Sequence, residues 1–198
     1  MVSDEGTAAL ALAAEQRDPS SLAAATALRK NIDPDLAAAA LAQEALRRRG
    51  ATKFGAEARG WFFTPDGLEQ ATRPEVARWR AERLVACGVQ RVIDLGCGLG
   101  TDSMAMARAG LDVVAVDADA VTAILAKANL GEMATVHRAD ATTVELGERT
   151  VFCDPARRTS AGRSWAVADF SPSWEFVSAL LYAHAGACLK LGPGLPHR

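Results

Sequence analysis

VIDLGCGLGTDS occupies residues 92–103 of the chain, and LDVVAVD follows at residues 111–117. The apolar runs from Arg91 to Leu95 and from Leu111 to Val116 are typical of strands that are buried on both faces of a parallel sheet. The segment between them has the pattern of a helix. We therefore predict a strand, a glycine-rich turn, a helix and a second strand, which is the arrangement of an open α/β sheet.

The glycine-rich turn has the features of a ligand site. Its glycines alternate along the chain: Gly96, Gly98 and Gly100. Glycine tolerates a positive φ and, without a Cβ, lets a ligand approach the backbone closely. Thr101 or Asp102 is expected to cap the helix that follows. Because ligands of open α/β sheets bind beyond the carboxyl ends of the strands, the turn and the carboxylate of Asp117 predict an adenosine site.

Two classes of adenosine cofactor use such a turn. Dinucleotide sites need G-x-G-x-x-G, but the spacing here is G-x-G-x-G, and Thr101 stands where the third glycine would be. Asp94 would repel a pyrophosphate but suits the ammonium group of a methionine moiety. Asp117, 21 residues after Gly96, is placed to accept hydrogen bonds from ribose hydroxyls in either class. We favour S-adenosylmethionine over NAD and include Thr101 in its site; a turn without a ligand is the remaining alternative.

The motifs D-L-G-C-G-L-G and V-V-A-V-D resemble the cofactor-binding half of class I S-adenosylmethionine-dependent methyltransferases, over residues 92–192. The resemblance implies an α/β fold with a Rossmann-like sheet, of which about five parallel strands are present. Residues 4–50, rich in alanine and leucine, predict an all-helical extension before it. The resemblance also implies that Asp117 holds the ribose and that Asp140 lies near the adenine amine, although Asp140 could instead cap its loop. The residues that would surround the methionine part are Asp94, Gly96, Gly98 and Gly100.

The composition of the 198 residues agrees with one domain that carries an appendage. The hydrophobic fraction is 49%, yet no stretch approaches the roughly 20 apolar residues of a membrane helix, and no secretory leader is recognised. Four scattered cysteines without a C-x-x-C pair argue against zinc and disulfides and fit a reducing cytoplasm, so no metal is predicted. With a net charge of −2, nucleic acid would need a local basic patch.

Three regions are predicted along the chain: a helical region over residues 1–50, an aromatic connector over 51–73 and the cofactor-binding core over 74–198. In the helical region, Asp33-Pro34 is a typical helix start, and Gly50 is expected to end that helix. Three arginines, Arg47 to Arg49, precede this glycine. For them we favour interaction with the dipole of their own helix over contact with RNA.

The connector contains Trp61-Phe62-Phe63-Thr64-Pro65, in which Thr64-Pro65 predicts another helix start. Three adjacent aromatic side chains cannot all point into one core, so at least one is expected to face a groove or a domain junction. The pattern Trp-Phe-x-Thr-Pro before the core resembles the trimethylguanosine synthase group, which methylates the exocyclic amine of a capped guanosine. Trp61 is therefore a candidate substrate residue. The alternative is that the aromatic residues pack the helical extension onto the core.

Asp154-Pro155 follows the predicted fourth strand, residues 150–153, and is expected to face the methyl group of the cofactor. The pair resembles the start of the (Asp/Asn/Ser)-Pro-Pro-(aromatic) motif of methyltransferases that act on planar amines. In that motif the carboxylate and a backbone carbonyl accept the amine hydrogens, and the aromatic residue stacks on the base. Methyl transfer is an in-line displacement that needs alignment more than a strong base. Asp154 and Pro155 are therefore the predicted catalytic residues.

The chain departs from that motif, because Ala156 and Arg157 replace the second proline and the aromatic residue. The base would then have to stack on Trp165, on Trp61 or on the guanidinium of Arg157. Positive charge is concentrated in the same loop: Arg157, Arg158 and Arg163. We interpret this charge as a site for an anionic substrate, although a solvated loop is the simpler alternative.

Asp-Pro-Ala-Arg-Arg at residues 154–158 and Asp-Phe-Ser-Pro at 169–172 also resemble a group of bacterial methyltransferases that carry a THUMP-like domain after the core. Such domains are associated with RNA, which favours tRNA or rRNA as the substrate by analogy. The sheet of the family would continue beyond the fifth strand, predicted at residues 187–191. We therefore expect a fragment or truncated product in which this strand forms an uncovered edge.

The predicted function is S-adenosylmethionine-dependent methyl transfer to an amine nitrogen of an RNA base, in the cytoplasm. Two alternatives stay open. One is a methyltransferase that acts on an anionic small metabolite with the same cofactor site. The other is a cofactor-binding remnant without activity.

Overall fold

The computed structural model describes residues 2–155, 158–159, 162–163, 170–183 and 186–192. The chain divides into two compact units, Met1–Ala71 and Thr72–Arg198. The first contains helices only, and the second contains the sheet. Within the described ranges, no helix combines the length and apolar character that crossing a membrane requires.

The first unit is formed by four α-helices and a 3₁₀ segment. The α-helices are α1 (Asp4–Ala14), α2 (Leu22–Leu28), α3 (Pro34–Phe54) and α4 (Pro65–Gln70), and the 3₁₀ segment is Gly55–Gly60. The side chain of Asp33 accepts hydrogen bonds from the amides of Asp35 and Leu36, and the Thr64 hydroxyl accepts one from the amide of Gly67. Both predicted helix starts are therefore confirmed, because each side chain satisfies amides that the first helical turn leaves unpaired.

The prediction that Gly50 ends its helix is wrong, since α3 continues to Phe54 and ends at Gly55, where φ is 59°. Gly50 is buried inside the helix, and a Cβ added to it would lie 3.2 Å from the ring of Phe63. The glycine therefore makes room for an aromatic ring rather than ending the helix. A sequence pattern cannot separate these two uses of glycine near a helix end.

Small side chains allow the helices of the first unit to approach closely. The buried core residues of α1–α3 are Ala9, Leu10, Ala13, Ala24, Leu28, Ala37, Ala40 and Leu41. A second group joins the end of α3 to the segment after it, where Phe54 lies 5.4 Å from both Trp61 and Phe63 between ring centroids. These distances are typical of aromatic packing.

Two of the arginines in α3 bind backbone carbonyls of the first unit. The guanidinium of Arg48 donates to the carbonyls of Gln16 (2.6 Å), Arg17 (2.7 Å) and Ala14 (3.3 Å), which end and follow α1. Arg47 donates from Nε to the carbonyl of Trp61 at 2.9 Å. Neither lies in the last turn of α3, so the predicted interaction with the dipole of their own helix is wrong.

The second unit contains one parallel sheet with helices on both faces. Its strands are β1 (Arg91–Leu95), β2 (Asp112–Asp117), β3 (Thr135–Arg138), β4 (Thr150–Cys153) and β7 (Ala187–Leu189), arranged β3-β2-β1-β4-β7. Its helices are α5 (Pro74–Ala86), α6 (Thr101–Arg108), α7 (Ala120–Leu130) and α8 (Trp174–Ala183). A separate antiparallel pair is formed by β5 (Arg158–Thr159) and β6 (Gly162–Arg163). The described part of the chain thus has the five parallel strands that were predicted.

Successive residues of the central strands alternate between the two faces of the sheet. One face packs with α8, through Ile93, Val151 and Val177 among others. The other packs with α5 and α6, through Val92 and Phe152 among others. On one side of β1 the sheet continues through β2 to β3, and on the other side it continues through β4 to β7. The topological switch therefore lies between β1 and β4. The carboxyl ends of these strands are therefore the expected location of a ligand.

Candidate functional site

The glycine turn after β1 leaves open space at the carboxyl edge of the sheet. Its three glycines have positive φ: Gly96 (81°), Gly98 (56°) and Gly100 (87°). The amides of Gly96 and Cys97 both donate to the carbonyl of Val116 at 2.9 Å, which anchors the turn to β2. At Gly96 and Gly98, no described atom lies within 4 Å of an added Cβ. The turn can therefore accept a ligand against its backbone.

Asp94 is a buried carboxylate with one unsatisfied oxygen. It is 1% exposed, and its Oδ2 accepts a 2.5 Å hydrogen bond from the hydroxyl of Ser103. Its Oδ1 has no partner among the described residues. Burial, followed by the nearby charge of Asp102, raises the pKa of Asp94 to about 8. An oxygen buried in this way is costly unless a donor or a positive charge reaches it.

The first turn of α6 differs from the prediction. The N-cap is Gly100 in a left-handed conformation without a side-chain cap, so neither Thr101 nor Asp102 caps the helix as expected. Thr101 is buried, and its Oγ1 has no partner in the described part of the chain. Asp102 is also buried, and it accepts hydrogen bonds from Thr72 and Arg80. The unpaired oxygens of Thr101 and Asp94 thus flank the glycine turn.

Asp117 ends β2 and connects it to the glycine turn. Its Oδ2 accepts a hydrogen bond from the amide of Gly98 at 2.9 Å, and its Oδ1 accepts one from the amide of Asp119 at 3.0 Å. Burial raises the pKa of this carboxyl, and the two amides oppose the shift. Each carboxylate oxygen has a second lone pair, so Asp117 can still accept hydrogen bonds from a diol such as a ribose.

Asp140 begins a short 3₁₀ turn, Ala141–Thr143. Its Oδ1 accepts hydrogen bonds from the amide (2.8 Å) and the hydroxyl (2.7 Å) of Thr142, and these bonds lower the pKa of the carboxyl. This arrangement agrees with the loop-capping alternative. The role near an adenine amine stays a prediction and would have to use Oδ2.

Asp154 lies one residue beyond β4, at the edge that also holds Asp94. The strands are in register there, with Leu95 opposite Cys153 and Cys153 opposite Leu189. The carboxylate of Asp154 accepts a hydrogen bond from Nζ of Lys190. Burial raises the pKa of Asp154, and the positive charge of Lys190 opposes this shift. The predicted catalytic carboxylate is thus partly enclosed and has a cationic partner.

Sequence reasoning did not identify several residues of this polar site: Thr72, Arg80, Ser103 and Lys190. Lys190 lay inside the fifth strand predicted at residues 187–191, but that strand ends at Leu189, so Lys190 directly follows it and lies at the same sheet edge as Asp154. The sequence gives no signal for Arg80, because an arginine in an amphipathic helix is ordinarily solvated. In the structure it lies over the ring of Phe152 at 5.0 Å and binds Asp102.

The predicted substrate residues lie in different parts of the chain. Trp61 belongs to the first unit, is 6% exposed and stacks on Phe63 with 6.2 Å between ring centroids. Its aromatic partners, Phe54 and Phe63, both belong to the first unit, and the alternative that these residues pack the helical extension onto the core stays a prediction. The backbones of Arg158 and Arg163 pair in the β5–β6 ladder. Arg157 and Trp165 lie outside the described residues, so the roles of these arginines and of Trp165 stay predictions.

A family model described as a domain of unknown function, DUF8688, matches residues 1–50. Two curated proteins of Mycobacterium tuberculosis, from strains CDC 1551 / Oshkosh and ATCC 25618 / H37Rv, are each named an uncharacterized S-adenosylmethionine-dependent methyltransferase. Each is 35% identical to this chain over 161 residues, which is 76% of this chain and 43% of the relative. The chain thus spans less than half the length of these relatives.

The crystal structure of a predicted methyltransferase from Porphyromonas gingivalis W83 is similar to this chain, with a TM-score of 0.69 and 22% identity. The similarity covers 98% of this chain and 51% of the other. The parallel sheet and the glycine turn after β1 therefore form the Rossmann-like fold of class I methyltransferases, as the sequence predicted.

Proposed function

We propose that this protein acts as an S-adenosylmethionine-dependent methyltransferase. The observation that carries the proposal is the buried Asp94, whose Oδ1 lacks a partner among the described residues beside the open glycine turn. The ammonium group of a methionine moiety would supply both the donor and the positive charge that this oxygen lacks. A pyrophosphate would instead add negative charge to an edge that already holds Asp94, Asp102 and Asp154. The names of the mycobacterial relatives support the same cofactor and activity.

The residues proposed to hold the cofactor are Asp94, Gly96, Gly98, Gly100, Thr101, Asp117 and Asp140. Asp94 would bind the ammonium group, and the hydroxyl of Thr101 is unpaired and close in sequence to the same turn. Asp117 would bind the ribose hydroxyls with its remaining lone pairs. When bound, S-adenosylmethionine supplies a methyl group on a positively charged sulfur.

Asp154 and Pro155 are proposed to align the acceptor. An ionised Asp154 accepts a hydrogen bond from an N–H of a planar amine, and a backbone carbonyl of the same segment accepts a second. These bonds would fix the plane of the amine and direct its nitrogen toward the methyl group. Orientation of this kind is a large part of the catalysis of group transfer.

We propose an amine of a tRNA or rRNA base as the acceptor. The support comes from the sequence: the Asp154-Pro155 motif, the arginines that follow it, and the resemblance to methyltransferases with a THUMP-like domain and to trimethylguanosine synthases. The candidate residues for phosphate binding and base stacking are Arg157, Arg158, Arg163 and Trp165. The burial of Trp61 favours packing for that residue, so the proposal does not rely on it.

Calorimetry with S-adenosylmethionine tests the cofactor site. The protein is expected to bind it, and Asp117→Ala should weaken binding at least tenfold. Asp112→Ala is the matched control, because Asp112 lies at the opposite end of β2 and its side chain is 58% exposed. Absence of binding by the unaltered protein, or equal effects of the two substitutions, would contradict the proposal.

Incubation with methyl-labelled S-adenosylmethionine tests the acceptor. Label is expected in total tRNA and rRNA, and Asp154→Ala should abolish it while cofactor binding remains. Label that appears only in a small-metabolite extract would overturn the RNA substrate and favour the anionic metabolite. Cofactor binding without transfer to either pool would identify a remnant without activity.

A further inference from the structure

A continuous chain of polar contacts links Asp154 to two helices of the sheet unit. Nζ of Lys190 donates to Oδ2 of Asp154 and, at 2.9 Å, to the hydroxyl of Thr72. The Thr72 hydroxyl donates in turn to Oδ2 of Asp102. Oδ1 of Asp102 accepts from the guanidinium of Arg80. Five side chains from distant parts of the sequence thus form one network.

The direction of each hydrogen bond in this network is determined by chemistry. The ammonium group of Lys190 can only donate, so the Thr72 oxygen must accept from it. The single proton of Thr72 is then available for Asp102, which as a carboxylate can only accept. Asp102 is further held by Arg80, and both of these side chains are about 10% exposed. The position of Lys190 is therefore fixed through Thr72 by the buried ion pair of Asp102 and Arg80.

The carboxylate of Asp154 is left with one oxygen for a ligand. Lys190 occupies Oδ2, and no other described residue donates a hydrogen bond to Oδ1. The side chains of Asp154 and Lys190 are 31% and 29% exposed, so the pair is accessible from solvent. An acceptor amine could therefore reach Oδ1 while Lys190 remains in place.

We infer that Lys190 is the positioning residue of the acceptor site: it holds Oδ2 of Asp154, keeps the carboxylate ionised and leaves Oδ1 for the N–H of the substrate. The inference rests on the proposed function of Asp154. Lys190 itself contacts neither the substrate nor the cofactor in this scheme. Its position is supported by Thr72 and, through Asp102, by Arg80.

The charges around Asp154 explain why such a residue is needed. Lys190 and Arg80 favour its ionised form, whereas burial and the carboxylates of Asp102 and Asp94 oppose it. Burial already raises the pKa of Asp154, and the lysine is the largest opposing influence. Without Lys190, the carboxyl would retain a proton at higher pH. A protonated Asp154 would lose an acceptor lone pair and align the amine poorly.

Carbon NMR titration of protein labelled with ¹³C-aspartate tests this inference without any substrate. The Asp154 carboxyl resonance is assigned with Asp154→Asn. Its chemical shift is then followed as a function of pH in the full chain, which gives the midpoint of the titration. Lys190→Met should raise the midpoint by at least one pH unit, and Lys190→Gln provides the same test if the Met variant folds poorly. Lys190→Arg should restore a midpoint near that of the unaltered protein. Lys127→Met, an exposed substitution in α7, is the matched control and should have no effect.

An unchanged midpoint in both Lys190→Met and Lys190→Gln would overturn the inference, as would an equal shift in Lys190→Arg. If the unaltered protein failed to bind S-adenosylmethionine, the proposed function would fail, whereas the titration would still report whether Lys190 controls Asp154. Where labelled RNA is obtained, the acid limb of the pH–rate profile should move upward in Lys190→Met. Cofactor affinity should stay within about twofold, because Lys190 is not placed in the cofactor site.

Discussion

The hydroxyl of Ser103 donates a 2.5 Å hydrogen bond to Oδ2 of Asp94, and this bond joins the end of β1 to the first turn of α6. It orients the carboxylate so that Oδ1 is the oxygen left unpaired among the described residues. Both residues are almost completely buried. The unpaired Oδ1 of Asp94 therefore lowers the stability of the folded protein, and a ligand that donates to this oxygen could offset the loss.

The first prediction concerns the pH dependence of cofactor binding. Burial raises the pKa of Asp94 to about 8, so this carboxyl is protonated in the free protein at pH 6.5. An ammonium group favours the ionised form, and binding should therefore release up to one proton. Affinity should rise between pH 5.5 and 7.5, by at most about tenfold per unit. Calorimetry in buffers of different ionisation heat measures this release; pH-independent affinity without proton release would be the contrary result.

The second prediction concerns the stability of Asp94→Asn. The carboxyl ionises near pH 4 in an unfolded chain but only near 8 in the folded protein. Folding therefore loses stability as pH rises from 4 to 8. The substitution should raise the free energy of unfolding by about 2 to 5 kcal/mol at pH 8, since each unit of pKa corresponds to about 1.4 kcal/mol.

Urea unfolding at pH 4.5 and 8 checks this difference. The gain should shrink at the lower pH, and cofactor binding should be lost at both. Glu145→Gln, an exposed carboxyl in the same unit, is the control and should change little. Equal stability of Asp94→Asn and the unaltered protein at pH 8 would show that ionisation of the buried Asp94 does not destabilise the folded protein.

The third prediction compares Gly100 of the glycine turn with Gly88, which follows α5, in order to separate backbone strain from steric collision. Gly100 and Gly88 have similar φ values, 87° and 79°. An added Cβ at Gly100 would lie 3.0 Å from Leu130, whereas no described atom would lie within 4 Å of a Cβ added at Gly88. Gly88→Ala should cost about 1 kcal/mol of conformational strain. Gly100→Ala should cost about 2 to 4 kcal/mol, because the collision adds to the strain. Chemical denaturation of both variants measures the difference, and equal losses would argue against the contact with Leu130.

The fourth prediction concerns Trp61. Because the side chain is 6% exposed and packs with Phe54 and Phe63, Trp61→Ala should destabilise the first unit by about 3 kcal/mol. Trp61→Phe should retain most of the packing. Thermal unfolding and RNA labelling are measured on both variants. If Trp61→Phe kept its stability but lost RNA labelling, the substrate role predicted from the sequence would be favoured over packing.

The fifth prediction compares two neighbouring arginines of α3. Arg48→Ala removes hydrogen bonds to the carbonyls of Gln16 and Arg17 and should cost about 1 kcal/mol. Arg49→Ala is the matched control, because Arg49 is 59% exposed and lies 4.0 Å from Glu69, a separation at which a surface pair contributes little. Urea midpoints provide the comparison. A larger loss in Arg49→Ala would show that the carbonyl contacts do not stabilise this unit.

Local features of the fold follow directly from the sequence. The apolar runs predicted β1 and β4 with the residue ranges that the structure has, and Asp33 and Thr64 begin their helices as expected. The glycine spacing likewise predicted the turn, and all three of its glycines have the positive φ that glycine tolerates. The starts of α3 and α4 depend on neighbouring residues, so a single sequence contains the information that determines them, whereas the cap of α6 and the end of α3 were predicted incorrectly.

The polar site was decided only by the tertiary structure. Thr72 and Lys190 are 118 residues apart in sequence, yet Nζ of Lys190 donates to the Thr72 hydroxyl, and β7, which precedes Lys190, lies beside β4. Gly50 likewise serves as space for Phe63, a residue that the helix pattern could not anticipate. Strand order and packing bring such residues together through long-range burial. The sequence therefore predicted the edge of the sheet at which a ligand would bind, and the assembled sheet determined which charged side chains surround that edge.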